Sequence, residues 1–275
     1  LADEIDVIEQ DEMFGMENWE QAESAMQKQA ADLALEKENI HRREVRYLFA
    51  GDLLGQLIAT SFGTVDLEIP LFGLYGACST MGEALGLGAM CVNAGYADRV
   101  LTLASSHYAT AEKQFRFPLE YGNQRPYSAT WTVTGCGAVI VSSGDCRGKE
   151  APLAKITAVT TGKIVDYGVK DSFNMGASMA PACADLIYSN LRDFGVEPGH
   201  YDKIFTGDLG YVGQRILIDL LKEKGIDISE IHSDCGMIIF DQNTQDTHAG
   251  GSALWGGQQL VSGIGCQPET AFDEF

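Results

Sequence analysis

The chain has 275 residues, of which 45% are hydrophobic, and its 39 acidic and 19 basic side chains give a formal net charge of −20. This length is sufficient for one large domain or two fused domains with a substantial core. The negative charge argues against nucleic acid as a partner, because the phosphate backbone attracts basic surfaces. No segment has the roughly 20 apolar residues of a membrane-spanning helix, and the acidic N-terminus lacks a signal-peptide pattern. We therefore expect a soluble, cytosol-facing chain.

Hydrophobic periodicity predicts helices and strands that alternate along the chain. The first helix is predicted over residues 17–37, with an apolar face that comprises Trp19, Ala22, Met26, Ala30 and Leu33. Apolar runs then predict strands at residues 45–53, 69–76, 99–107, 136–143, 154–164 and 201–206, the second of them buried. Further helices are predicted at residues 79–95, 174–195 and 210–224. This order is typical of an α/β protein.

Seven cysteines are scattered without a CxxC pair or a Cys/His spacing, namely Cys78, Cys91, Cys136, Cys146, Cys183, Cys235 and Cys266. Zinc ligands normally occur in such paired spacings, so we expect no metal site. Glycine-rich nucleotide motifs and the HExxH and GxSxG motifs are also missing from the sequence. We therefore expect reduced thiols and no cofactor.

A five-residue turn occurs twice in the sequence, with the pattern F-x-G-D-L. The copies begin at Phe49 and Phe205, and each follows a predicted helix and is followed by a Gly-Gln pair. A shared order of helix, strand and turn indicates duplication better than five matching letters alone. We therefore predict two α/β halves, residues 1–150 and 151–275, with related strand ends that face each other across a site.

Cys78 lies in the stretch LYGACSTMG, between a predicted strand and a predicted helix. A helix N-terminus lowers a thiol pKa through the macrodipole, and its N–H groups can also stabilise an oxyanion. Ser79 and Thr80 would supply two of those N–H groups. A cysteine in a turn of small residues is more often structural, so the residues alone leave both interpretations open.

Two histidines are candidate partners for this cysteine. His248, in the stretch THAGGS, stands beside glycines that allow a ligand to approach the backbone. His107 ends a predicted strand, where side chains commonly face a cleft. A surface-loop histidine explains His248 equally well, and His232 is expected to be a structural hydrogen-bonding residue.

The stretch from Ser105 to Gly137 concentrates basic and aromatic residues in an otherwise acidic chain, including Arg116 and Arg125. Guanidinium groups and aromatic faces suit a planar aromatic acid, through bidentate pairing with carboxylates and through stacking. The alternative interpretation is a structured loop or dimer arm with ordinary surface charges.

These motifs together resemble the thiolase and ketoacyl-synthase superfamily, and within it the stage V sporulation protein AD family of endospore-forming bacteria. The resemblance rests on AGDLLGQ, YGACSTMGEAL, ASSHYATAEKQFRFPLEYGNQRP, TVTGCGAV, MAPACADLI, TGDLGYVG, DCGMIIFD and HAGGS, in that order. It implies a thiolase-like fold with duplicated α/β halves in an α-β-α-β-α layered architecture. It also implies that the second half is incomplete after Ser252, with residues missing before Ala253.

The resemblance implies a protein without turnover that binds dipicolinic acid and supports its uptake into the developing spore. Such a protein would lie on the spore inner membrane with the membrane proteins of the same sporulation complex, and would form a homodimer. The implied degenerate site contains Cys78, Asp208 and His248, and the implied ligand-binding set adds Ser79, Thr80, His107, Arg116 and Arg125. Asp208 falls in the loop where condensing enzymes carry histidine and asparagine, and an acid there would repel an oxyanion.

Two other functions remain open from the sequence. An acyltransferase would use Cys78 as the acylated nucleophile with His248 as acid and base. A scaffold protein of a membrane complex would need neither residue.

Overall fold

The structure of the protein, a computed structural model, describes residues 5–116, 125–144, 152 and 154–252. Its helices are α1 (Trp19–Glu38), α2 (Ile58–Gly63), α3 (Thr80–Asn93), α4 (Tyr108–Phe115), α5 (Met175–Phe194), α6 (Gly210–Lys222) and α7 (Cys235–Ile238). Its strands are β1 (Tyr47–Asp52), β2 (Leu71–Gly73), β3 (Arg99–Ser106), β4 (Trp131–Thr132), β5 (Gly135–Ser142), β6 (Ile204–Thr206), β7 (His232–Asp234) and β8 (Gly251–Ser252).

The described residues form two compact units. The first contains the chain up to Ala111 and the segment Val133–Thr157, and the second contains Glu112–Thr132 and Ala158–Ser252. The halves predicted from the sequence, residues 1–150 and 151–275, remain a prediction.

A four-stranded sheet organises the first unit, in the order β2-β1-β3-β5. Strands β1, β2 and β3 run parallel, and β5 pairs antiparallel with β3 from Arg99 opposite Ser142 to Ser106 opposite Gly135. Because parallel strands end at one edge, the turns after β1 and β2 lie on the same side of this sheet.

The two faces of this sheet are covered by different helices. Alternate residues of β1 and β3 pack with α1 on one face, in a cluster that contains Leu35, Leu48 and Leu101. Their neighbours pack with α3 on the other face, in a cluster that contains Phe49 and Met81. Period-two alternation along the strands therefore builds a three-layered α/β/α unit.

Helices α5 and α6 pack against each other in the second unit. A Cβ atom at Gly176 would lie 2.7 Å from the Gly213 nitrogen, so glycine permits this close approach. The apolar cluster of this unit includes residues of both helices, among them Ala180, Leu217 and Leu221. Strands β6 and β7 form a parallel pair, as do β4 and β8.

Most of the predicted elements are confirmed, including α5, which ends at Gly195 in the left-handed conformation. The strand predicted at residues 154–164 is wrong, since these residues form neither helix nor strand. Strand β2 is exposed at the sheet edge, where we expected a buried strand. The buried face of α1 is also shifted, because Ala31 and Leu35 are buried where Ala30 and Leu33 were predicted.

Some predictions fall outside the described residues, namely those on Cys146, on Cys266 and on the sequence after Ser252. Among the residues that are described, no helix combines the length and the apolar character needed to cross a membrane.

Candidate functional site

The Cys78 turn connects β2 to α3 in the first unit. Cys78 is half-buried in a 3-10 turn, Ala77–Ser79, and packs against the apolar cluster beneath α3. Ala77, immediately before it, has φ of 47°, a left-handed conformation that strains a residue with a Cβ atom. Such strain accumulates at functional turns, where the surrounding structure enforces it. The structure therefore places Cys78 at the strand-to-helix turn predicted from the sequence.

Hydroxyl groups and a close backbone approach fix this turn. The Ser79 hydroxyl donates to the Gly76 carbonyl over 2.8 Å, and the Thr80 hydroxyl donates to the Ala77 carbonyl over 3.0 Å. A Cβ atom at Gly51 would lie 2.2 Å from the Leu74 carbonyl oxygen, so the first F-x-G-D-L turn needs glycine. Thr80 is fully buried, and its hydroxyl serves the turn; a role for Ser79 and Thr80 in ligand binding remains a prediction.

His107 follows β3 and is buried in the first unit. Its Nδ1 atom accepts from the Ala109 N–H over 3.2 Å, and its Nε2 atom lies 3.0 Å from the Glu12 carbonyl oxygen. The acceptor role of Nδ1 makes Nε2–H the donor to that carbonyl. The ring also contacts Trp19, with ring centroids 5.3 Å apart. These contacts hold residue 12 and α1 against the end of β3, and a role for His107 in ligand binding remains a prediction.

A buried polar network under α1 was not predicted from the sequence. The Gln27 amide donates to the hydroxyls of Ser105 and Thr60, over 2.6 Å and 3.1 Å. Ser105 in turn donates to Glu23 over 2.7 Å, and Thr60 donates to Asp52 over 2.7 Å. The sequence did not predict Glu23 as a buried residue, because a charged side chain in an amphipathic helix is normally expected on the solvent-exposed face.

Burial determines the acidity of this network. Loss of solvation raises the pKa of Glu23 to about 7, and the charge of Asp52 raises it further against two hydroxyl hydrogen bonds that lower it. Burial also raises the pKa of Asp52, which is otherwise stabilised by Thr60 and the Leu54 N–H. Glu23 is 2% exposed, and its raised pKa places its change of charge near neutral pH.

In the second unit, two buried arginines converge on one carbonyl group. Arg116 and Arg125 donate to the Thr130 carbonyl oxygen over 3.2 Å and 3.3 Å. Arg116 also forms an ion pair with Glu112, which accepts from the Thr132 hydroxyl as well. The Nε atom of Arg116 is buried and has no hydrogen-bond partner among the described residues.

Aromatic rings complete this arginine cluster. The Arg125 guanidinium lies over the ring of Trp131, and the Arg116 guanidinium lies 5.9 Å from the centroid of Phe173. Cationic groups against aromatic faces in a buried setting suit a planar anion. The sequence predicted the two arginines, but Glu112 and Thr130 emerged only from the structure.

His248 belongs to the same unit and contacts the start of the arginine segment. Its Nδ1 atom lies 3.0 Å from the Pro126 carbonyl oxygen, and its Nε2 atom lies 3.1 Å from the Asp246 carboxylate. Both contacts are hydrogen bonds only when both nitrogens carry hydrogen. His248 has φ of 48°, and the glycine at 250 lets the loop approach Gly236. The structure therefore brings His248, Arg116 and Arg125 together around residues 125–132.

Asp208 is buried between β6 and α6, beside an acid that the sequence did not single out. That acid, Asp234, accepts from the N–H groups of Leu209 and Gly210 at the start of α6, over 3.0 Å and 2.8 Å. It also accepts from the Gly236 N–H and the Thr206 hydroxyl. An internal carboxylate thus occupies the amide donors of the second F-x-G-D-L turn.

His232 extends this arrangement as a buried hydrogen-bonding residue. Its Nδ1 atom accepts from the Gln214 amide over 3.1 Å, which leaves Nε2–H to donate to Thr206 over 3.0 Å. Burial lowers the pKa of His232 to about 4 and raises the pKa of Cys235, next to Asp234. The structural role expected for His232 agrees with these contacts.

If the two halves are duplicates, Cys235 in the stretch HSDCGMII is the rough counterpart of Cys78, and the strand pairing tests this relation. Phe49 pairs with Phe72 and Phe205 pairs with Ser233 in parallel registers, so Asp234 corresponds to Gly73. Cys235 is therefore one residue past the paired position, whereas Cys78 is five residues past it. No set of three or more His, Cys, Asp or Glu side chains in the described part of the chain is grouped to hold a metal ion.

Comparison with known proteins gives the family and the fold. The sequence profile of the stage V sporulation protein AD family matches residues 1–263. The chain is 43% identical over 245 residues to stage V sporulation protein AD of Bacillus subtilis (strain 168), an alignment that covers 88% of this chain and 70% of that protein.

Solved structures of condensing enzymes have the same fold at low sequence identity. Xanthomonas campestris OleA with cerulenin superposes with a TM-score of 0.61 and 13% identity, over 87% of this chain and 70% of that chain. The tetronic acid condensing enzyme AbyA1 has a TM-score of 0.58 and 15% identity, over 86% and 76%. These similarities confirm the predicted thiolase-like fold. With its matching profile and its 43% identity to the Bacillus subtilis protein, the chain belongs to the stage V sporulation protein AD family.

Proposed function

We propose that this protein binds dipicolinic acid without turning it over and supports its uptake into the developing spore. Dipicolinic acid is a planar pyridine ring with two carboxylates. Family membership and the motif resemblance support this ligand, and the arginine cluster of the second unit has the matching chemistry.

The observation that carries the proposal is the pair of buried guanidinium groups at Arg116 and Arg125. Both are at least nine-tenths buried, and both share the Thr130 carbonyl oxygen. A buried cation is costly unless an anion or a hydrogen-bond acceptor compensates it, and the Nε atom of Arg116 has no acceptor among the described residues. A carboxylate is the acceptor that a guanidinium fork recognises best.

The absence of turnover is argued from the second F-x-G-D-L turn. By resemblance, condensing enzymes carry histidine and asparagine where this chain has Thr206, Gly207 and Asp208. A buried acid at this position destabilises a developing oxyanion. The amide donors that follow it are occupied by Asp234.

Titration calorimetry with dipicolinate tests the proposal on the full chain. Arg116→Lys keeps the positive charge but cannot form the two parallel hydrogen bonds that a guanidinium group makes to a carboxylate. The affinity for dipicolinate should therefore fall about tenfold or more. The matched control is Arg192→Lys, since Arg192 is exposed and paired with Asp193. Absence of binding to the unmodified chain, or unchanged affinity in Arg116→Lys, would overturn the proposal.

A second candidate function is acyl transfer through Cys78. It is favoured by the position of this cysteine after the strained Ala77 and before α3, and by the fold shared with condensing enzymes. Intact-mass spectrometry after incubation with acetyl-coenzyme A distinguishes the two functions, with Cys78→Ser as the control. An adduct that requires Cys78 would establish the acyltransferase, and its absence would support binding without turnover.

We further propose that the protein acts as a homodimer, on the spore inner membrane, with membrane proteins of the same sporulation complex. Family membership supports this placement. Light scattering during size-exclusion chromatography measures the dimer. Fractionation of spores with and without an alkaline wash tests peripheral attachment, since a peripheral protein is released by the wash.

A further inference from the structure

We infer that the first unit carries a second anion site, a cleft at the amino edge of its sheet that binds a phosphate group. The cleft has a volume of about 520 Å³ and is lined by residues that precede the three parallel strands, within 42–46, 67–70 and 95–98. The Cys78 turn follows β2 and lies at the opposite, carboxyl edge. This site goes beyond the proposed function and does not depend on it.

Three arginines within five consecutive residues, Arg42, Arg43 and Arg46, line the cleft, and two of them have no acidic partner among the described residues. Arg42 donates to Glu68 over 3.0 Å and to the Asp66 carbonyl oxygen. Among the described residues neither Arg43 nor Arg46 takes part in an ion pair, and both are exposed. Three acids also line the cleft: Glu44 is bound by Arg99, Glu68 is bound by Arg42, and Asp98 is exposed. Among the described lining residues, Arg43 and Arg46 therefore leave one positive charge in excess, in a chain whose net charge is −20.

The arginines are held by a rigid turn. The 3-10 turn Arg42–Glu44 has a reciprocal cap, in which the His41 ring accepts from the Arg43 N–H and Glu44 accepts from the His41 N–H. Glu44 is also bound by Arg99 over 3.3 Å. The acid nearest to Arg43 in sequence is thus already occupied, and the turn is fixed before any ligand arrives.

The neighbouring side chains orient Arg46 and provide an aromatic wall. The Arg46 N–H donates to the Arg99 carbonyl oxygen over 2.9 Å, which anchors the start of β1 to β3. Its guanidinium lies 4.7 Å from the centroid of the Tyr47 ring. Tyr96, 73% exposed, lines the cleft from the turn between α3 and β3. The volume is within the range of small-molecule sites.

These features select a phosphate group. Guanidinium forks match the oxygens of phosphate in bidentate geometry, and two forks close in sequence suit a doubly charged group better than a neutral ligand. The phosphate can come from a soluble molecule or from a lipid headgroup, and both sources present the same oxygens to Arg43 and Arg46.

Two binding measurements on the full chain distinguish the sources. One is titration calorimetry with inorganic pyrophosphate, and the other is co-sedimentation with phosphatidylglycerol vesicles, with phosphatidylcholine vesicles as the neutral reference. In whichever assay shows binding, Arg43→Ala combined with Arg46→Ala should reduce the affinity at least about tenfold. Lysine at positions 43 and 46 should restore only part of the affinity, because lysine returns the positive charge but not the bidentate geometry of a guanidinium group.

The matched control is Arg192→Ala combined with Arg215→Ala, which removes two exposed positive charges from α5 and α6. Failure of the unmodified chain to bind pyrophosphate and phosphatidylglycerol vesicles would overturn the inference, as would an equal loss in this control pair. Dipicolinate affinity should be unchanged in the Arg43 and Arg46 double variant. Loss of dipicolinate binding there would assign the cleft to that ligand and would overturn a separate phosphate site.

Discussion

Glu23 is a buried acid whose burial its position in the sequence does not suggest. It lies one residue after Ala22 in an amphipathic helix, yet it is 2% exposed and accepts from Ser105 and Thr110. Two hydroxyl donors compensate a buried carboxylate only in part, so burial favours the protonated form. Asp52, joined to the same network through Thr60 and Gln27, adds like charge nearby.

The elevated pKa of Glu23 predicts a pH-dependent stability. Between the ordinary pKa of 4.5 and the folded value of about 7, the folded chain holds a proton that the unfolded chain has lost. The free energy of unfolding therefore falls as pH rises through this window, by about 3 kcal/mol at most, and is flat on either side. Urea denaturation at pH 5 and pH 8 should show this loss in a chain that carries His232→Gln, because His232 contributes a change of opposite sign below pH 6.5. Adding Glu23→Gln to that chain should remove the loss.

His232 provides the control of opposite sign. Its folded pKa of about 4 lies below the ordinary 6.5, so the unfolded chain binds the extra proton between these values. Stability should therefore rise with pH across that window, and His232→Gln should abolish the rise. A Glu23→Gln chain that still loses stability between pH 5 and pH 8 would contradict the assignment to Glu23.

At the scale of elements, the F-x-G-D-L turns position the loops that follow the paired strands. In the first turn, Gly51 allows the chain after β2 to pass against β1, within reach of Thr80. Directly after the second turn, Gly210 has φ of 61°, and a Cβ atom there would lie 2.2 Å from the Ala249 carbonyl oxygen of the His248 loop. Close backbone contacts therefore require glycine at Gly51 and at Gly210.

Gly51→Ala should displace the Cys78 turn. The new Cβ atom would lie 2.2 Å from the Leu74 carbonyl oxygen and 2.7 Å from Thr80 Cγ2, contacts that require a backbone shift. We expect a loss of about 1–3 kcal/mol in the free energy of unfolding, measured by urea denaturation. The matched control is Gly82→Ala in α3, which has open space around it and should be neutral or stabilising by up to about 1 kcal/mol. Equal effects of the two changes would contradict the role of Gly51.

Local sequence pattern is not sufficient to predict which segments of this chain form strands. Residues 154–164 have the β-branched composition of a strand but pair with no other strand in the described part of the chain. Strand β2 has a shorter apolar run, yet it forms because Leu48, Phe49 and Ala50 offer a parallel partner. A strand needs a neighbouring edge for its hydrogen bonds, which composition cannot reveal.

At the scale of the whole molecule, the net charge of −20 is the property that affects every part of the chain. Its exposed ion pairs, such as Lys37 with Asp6 and Arg42 with Glu68, are solvated and each contributes little. Repulsion among the remaining acids opposes the folded state and is screened by salt.

Added sodium chloride should therefore raise the unfolding temperature. An increase of about 2–4 °C would correspond to about 1 kcal/mol of relieved repulsion in a chain of this size. Differential scanning fluorimetry between low and physiological salt measures it, with sucrose as a control for changes that do not involve charge. A decrease on adding salt would show that ion pairs outweigh repulsion.

The sequence by itself determined the family, the α/β class and the residues that follow its strands. Local spacing and turn chemistry are sufficient for these, since Cys78, His107 and Asp208 each follow a periodic apolar segment. The sequence also predicted that Arg116 and Arg125 belong to one binding segment. It did not predict that both donate to the Thr130 carbonyl oxygen.

Only the tertiary structure decided which polar groups are buried and what they contact. The chain positions of Glu23 and Gln27 suggest a solvated face, and their burial depends on Thr60 and Ser105, which lie far away in sequence. Asp234 likewise meets the start of α6 only because β6 and β7 pair. Burial and hydrogen bonding of this kind are properties of non-local packing, and a one-dimensional pattern records only which side chains could take part.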